Sequence, residues 1–241
     1  YPEVVAHKLR LADELLERGM EHLFIDTFRT GGWSPKYEYV DPEVARWRRR
    51  YRSEPPANPR DPRWCALVAE TTHAYFVALG TRLKDSGRPV RLMLGVSRVK
   101  RLNDLPDDML LARGIDWKRL VREKAIDAVV LYDVAWDATR PFESTRDIYR
   151  EVIAFCAGRC QVLCPMSAYS FTGKGLPAYQ KATGLSAEKV AGELLRIAWE
   201  EGADGVNMEC VDYNNYAPGV RAEMRRFLDG PIRFKRRKKE K

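Results

Sequence analysis

No run of about 18 apolar residues occurs anywhere in the 241-residue chain, so no membrane-spanning helix is expected. Histidine is scarce: His7, His22 and His73 are the only three. His7 and His73 fall in helix patterns and His22 lies at the start of a strand, which is the wrong end for chemistry in a βα unit. A serine or cysteine nucleophile needs a base beside it, so that class of catalysis is not expected. The GKG at Gly173–Gly175 lacks the G-x-x-x-x-G-K spacing of a phosphate loop. Asn103, Asp104, Asp107 and Asp108 lack the glycine that the sharp turn of a calcium loop needs, so they read as caps of a short helix. No metal and no cofactor is expected.

The five cysteines are an odd number in a chain too large to need disulfide staples. Cys156, Cys160 and Cys164 are four apart, but no histidine lies near them. Gly158 separates a helix end from the strand Cys160–Cys164, so buried free thiols are expected rather than a metal site. The net charge of +8 is largely local. The last residues, 233–241, hold six Lys or Arg beyond the opening Arg233 and one Glu, and the rest is nearly balanced. That tail lacks the alternation of basic and aromatic residues that binds single strands, and it reads as a solvated extension. Neither a specific nucleic-acid partner nor a membrane partner is expected.

What is present is an alternation of helices and strands. His22–Trp33, HLFIDTFRTGGW, sets the pattern: Leu23-Phe24-Ile25 has the length of a buried parallel strand and is followed by Asp26, Arg29 and a break at Gly31-Gly32. The spacing predicts a helix from Pro2 to Gly19 with Val5, Leu9, Ala12, Leu15 and Leu16 inside. A long insertion follows, Thr30–Arg60, with a short helix from Asp41. A helix from Asp61-Pro62 to about Lys84 should bury Trp64, Leu67, Val68, Thr71, Tyr75, Ala78 and Leu79 and leave His73 on the surface. Further strands are expected at 90–96, 127–132, 161–165 and 205–209. Asp116 and Ser186 should cap helices, Ser144 and Asp147 should form a capping box, and SFTGKGLPAYQ should be a loop. Five strands alternating with helices imply a parallel sheet in sequential order.

Three stretches resemble the bacterial glycoside-hydrolase-like (β/α)8-barrel proteins: YPEV leading to ERGMEHLFIDTFR, then GIDWKRLVREKAIDAVVLYD, then EEGADGVNMECVDYNNY. Together they span Tyr1–Tyr216. Departures are Glu21-His22 in place of the usual Asp-Gly, and Pro165-Met166-Ser167 where related barrels often deliver an acid. The resemblance implies a TIM-type parallel (β/α) barrel over residues 1–230, of which this chain would hold the last five units, followed by a basic tail, 231–241. The open sheet edge of such a part is expected to favour self-association.

Glycoside hydrolysis usually needs two carboxyl groups facing each other across the bond. Asp26, Asp133 and Glu209 lie at strand ends and are the candidate catalytic residues. Asp26 beside Arg29 should be ionised. Glu209, after Val206-Asn207-Met208, should sit in more apolar surroundings, where a carboxyl group retains its proton. Arg29, Trp33, Trp136, Tyr169, Tyr213, Asn214 and Asn215 are the candidate contacts to sugar faces and hydroxyls. Each has a competing role: Asp26–Arg29 as a loop fastener, Asp133 and Glu209 as structural acids, the aromatics as barrel plugs. The expected activity is therefore carbohydrate hydrolysis, with a non-catalytic carbohydrate-binding barrel or an inactive truncated homologue as the alternative.

Overall fold

A computed structural model describes residues 2–25, 40–99, 111, 114–134, 137–167, 175–209 and 218–229. The elements are α1 (Pro2–Glu17), β1 (His22–Ile25), α2 (Asp41–Tyr51), α3 (Pro62–Asp85), β2 (Arg91–Val99), α4 (Trp117–Arg122), β3 (Ala128–Val134), α5 (Pro141–Cys156), β4 (Gln161–Ser167), α6 (Gly175–Thr183), α7 (Ala187–Glu200), β5 (Gly205–Glu209) and α8 (Pro218–Asp229). The strands form one five-stranded, all-parallel sheet in the order β1-β2-β3-β4-β5. The sequential order agrees with the sequence reading. Ala128–Leu131 are at most 2% exposed, as expected of a strand covered on both faces.

By internal contacts the chain divides into two compact units, residues 1–96 with 106–128 and residues 97–105 with 129–241. In the first, α1 turns Ala12 and Leu16 inward and half-buries Val5 and Leu9, but Leu15 is 42% exposed, against expectation. Trp47 of α2 packs on Trp64 of α3 with ring centroids 5.7 Å apart, and Leu67 completes the cluster. Glu43 is buried there and accepts from Thr71 Oγ1 at 2.8 Å, while Arg46 donates to Glu43 and to Glu70 at 2.7 Å each.

The buried face of α3 is Trp64, Cys65, Leu67, Ala69, Phe76, Leu79, Gly80 and Leu83, so Val68, Thr71 and Tyr75 are only half-buried and Ala78 is exposed, against expectation. The cause is α1: Lys8 lies over the Tyr75 ring, and Asp13 pairs with Arg82 at 2.9 Å, so that flank carries polar partners. A side chain at Gly80 would come within 3.0 Å of the Ala125 carbonyl, which explains a glycine inside a long helix. His73 is a second correction: its side chain is only 12% exposed and its Nε2 lies 2.6 Å from Glu123.

In the second unit Arg146 bridges α5 to Glu200 and Glu201 at the end of α7, at 2.7 and 2.9 Å. The segment read as a loop contains α6, whose Tyr179 is buried, meets Thr145 Oγ1 at 2.5 Å and stacks on Phe142. Pro177 lies in the first turn, where a helix tolerates proline. The expected capping box at Ser144 is absent because α5 begins earlier, at Pro141; Ser144 Oγ instead accepts from the Asp137 N–H at 2.8 Å. Ser186 does occupy the cap position of α7, without a side-chain capping bond, whereas Asp116 accepts from the Arg119 N–H at 2.9 Å.

Cys156 and Cys164 are buried free thiols, while Cys160 is half-buried and precedes β4. Burial pushes the Cys164 thiol from 9.0 up to about 11, against a smaller opposite pull from its hydrogen bond to Tyr149. Burial also raises the Tyr149 hydroxyl well above its ordinary value. Above pH 9 the unfolded chain releases these protons before the folded one does, so stability falls as pH rises. A loss on the order of 2 kcal/mol is expected between pH 9 and 11 in urea unfolding, and Cys164→Ala should flatten the slope. An unchanged slope in that variant would assign the alkaline loss to other groups.

Candidate functional site

Two acids define the start of strands rather than their ends. Asp127 immediately precedes β3: its N–H donates to the Leu92 carbonyl and its carboxylate accepts from the Leu92 N–H, both at 2.8 Å. Asp204 immediately precedes β5 and does the same with Val162, again at 2.8 Å for both bonds. Each acid thus fixes a strand in register against the one before it. Asp204→Ala should cost about 1–3 kcal/mol, because the Val162 N–H loses a charged acceptor. A change in denaturation midpoint worth under 0.5 kcal/mol on that scale would contradict the clamp. The sequence reading missed both residues; the signal was an acid one position before a strand, just after a helix stop.

These clamps set which residues reach the other end. Leu163 pairs with Gly205 and the register runs on to Ser167 opposite Glu209. Glu209 is the last residue of β5, and Asp133 is the last but one of β3. Asp133 therefore lies inside a strand, beyond the expected end at 132, while Glu209 closes the strand expected at 205–209. β4 lies between β3 and β5 and ends at Pro165, Met166 and Ser167. All three strands are parallel, so Asp133, Ser167 and Glu209 share the carboxyl-terminal end of this part of the sheet.

No protein-family model and no curated protein matches the chain. Neighbouring strands lie about 4.8 Å apart, so the backbones of β3 and β5 are separated by roughly 10 Å across β4. The strand end presents two carboxyl-bearing positions with a small hydroxyl residue between them. Asp26 directly follows β1 in the sequence and lies outside the described residues, as do Arg29, Trp33, Trp136, Tyr169, Tyr213, Asn214 and Asn215. Among the described residues no group of three or more His, Cys, Asp or Glu is placed to hold a metal ion. No helix among them is long and apolar enough to cross a membrane.

Proposed function

We propose that this chain belongs to a carbohydrate-active hydrolase of the TIM-barrel type, with Asp133 and Glu209 as its paired carboxyl groups. The observation that carries the reading is the two acids, last but one in β3 and last in β5, with one strand between them, at the carboxyl-terminal end of a parallel sheet. Barrel enzymes build their sites at that end. In a hydrolase, one carboxylic acid protonates the leaving oxygen and the other carboxylate activates water or attacks the sugar. Asp26, Arg29 and the aromatic and amide residues named from the sequence are proposed as sugar contacts, with Asp26 the third acid candidate.

The end of β4 favours a second reading. Pro165-Met166-Ser167 brings no acid to the middle strand, and a mouth that retains aromatics without a working acid pair would bind carbohydrate and not cleave it. A panel of oligosaccharides separates the two. Turnover that is lost in Glu209→Gln supports hydrolysis. Binding without turnover, lost in Trp136→Ala, supports the binding barrel. Neither binding nor turnover rejects both.

A further inference from the structure

Residues 46–52 read RWRRRYR, and the site described above uses none of them. Between residues 41 and 63 the chain holds seven Arg and no Lys against four acids, a net +3. Four of these arginines have carboxylate partners. Arg46 and Arg50 meet Glu70 of α3 at 2.7 and 2.6 Å, and Arg63 meets Asp61 at 3.1 Å. Arg48 grips Glu54 through Nε and Nη2, at 3.0 and 2.7 Å. Arg49 and Arg52 are exposed, and neither pairs with an acid among the described residues. Arg52 closes α2 in the left-handed region, at φ 54°, whereas the turns after α1, α5 and α7 place Gly19, Gly158 and Gly202 there. Glycine takes that region freely and an arginine does not, so position 52 retains its side chain against strain. One cation would balance the helix terminus; Arg48, Arg49 and Arg52 all stand at it. They are three and four residues apart, so the three guanidinium groups gather at one end of the helix. Beside them Tyr51 is 37% exposed, and its ring is backed by that of buried Trp47, centroids 4.0 Å apart. α2 packs on Trp64, Leu67, Glu70 and Thr71 in the first half of α3. α3 connects the parallel strands β1 and β2, so its first half lies at their carboxyl-terminal end, where barrel enzymes take substrate.

We infer that the end of α2 binds a polysaccharide carrying carboxylates, a uronate chain, with Arg49 and Arg52 on its acid groups and Tyr51 against a sugar ring. The inference deepens the carbohydrate reading and rests on it, but it does not involve Asp133 or Glu209. Charge and geometry favour this occupant. The guanidinium fork matches a carboxylate, as Arg48 and Glu54 already display. The side chains of that pair are 57 and 72% exposed, so an incoming carboxylate exchanges with Glu54 readily. A tyrosine offers an apolar face and a hydroxyl, which suit the C–H and O–H groups of a sugar. A single-stranded nucleic acid would need successive exposed rings for its bases, and the other ring of α2, Trp47, is 2% exposed.

Isothermal titration calorimetry of the whole chain with oligogalacturonate at low salt tests this. A neutral oligosaccharide of the same length, poly-glutamate and single-stranded DNA are the comparisons. The parent is expected to bind oligogalacturonate more tightly than any comparison, and added salt to weaken it. Arg49→Gln combined with Arg52→Gln should weaken binding about tenfold. Tyr51→Ala should weaken it too, and Arg18→Gln, which removes an exposed charge of α1's end, should leave it unchanged. Circular dichroism of each variant should match the parent; if the double variant does not, Arg49→Gln alone is titrated and a smaller loss is expected. No binding by the parent overturns the inference. Binding unchanged in the double variant overturns it as well and assigns the contact to other cations. So does poly-glutamate or DNA that binds as tightly and is lost in the same variants. This site and the hydrolase reading fail separately: uronate binding without turnover of any oligosaccharide spares the inference and rejects hydrolysis, and turnover of neutral chains without uronate binding does the reverse.

Discussion

Glu209→Gln is expected to lower hydrolysis of any accepted oligosaccharide by at least ~10² while leaving the unfolding midpoint unchanged. The amide is nearly the same size as the carboxyl group, so the register of β5 against β4, with Ser167 opposite position 209, is preserved. What it loses is the capacity to give or take a proton. Asp133→Asn should act in the same direction, and the double variant should be little worse than either single one, because the two groups act as a unit. The competing structural role predicts the reverse: a lowered midpoint with turnover spared. Full activity in both single variants would reject the assignment of these acids, whatever the fold.

The second large effect is on stability. Trp47→Ala should destabilise the first unit by about 3–5 kcal/mol. Trp47 is 2% exposed, packs at a tilt against Tyr51 and Trp64 with ring centroids 4.0 and 5.7 Å away, and its indole N–H donates to the Glu54 carbonyl at 2.9 Å. Truncation leaves a cavity too well walled to collapse, since α2 is also tied to α3 through Glu43, Arg46, Glu70 and Thr71. Trp47→Phe should recover most of the loss. The check is urea unfolding followed by far-ultraviolet circular dichroism. A loss under 1 kcal/mol in Trp47→Ala would mean that α2 adds little to the first unit.

The order of elements was legible because helix and strand periods differ and strands such as Ala128-Val129-Val130-Leu131 are uniformly apolar. Strand ends were harder to read. The expected strands stopped at Val96, Tyr132 and Pro165, yet the ladders run on to Val99, Val134 and Ser167. Backbone pairing does not depend on side-chain polarity, and a proline removes only one donor. That small extension moves Asp133 from a loop onto a strand, while Glu209 closes β5 as expected. The aromatic and amide candidates were legible only as composition, since loop conformation is set by contacts distant in sequence. The clamps at Asp127 and Asp204 escaped because a lone acid before a strand has many roles, and only pairing with Leu92 and Val162 reveals this one. His73 was misread as surface for the same reason: its partner Glu123 is 50 residues away.

The most direct measurement of the central claim is the separation of the Asp133 and Glu209 carboxyl groups in a crystal of the protein soaked with a non-hydrolysable oligosaccharide. The account predicts both groups on the same side of the sheet end, about 6–10 Å apart, with a glycosidic oxygen between them. Carboxyl groups on opposite faces of the sheet, or a sugar bound away from both, would contradict it.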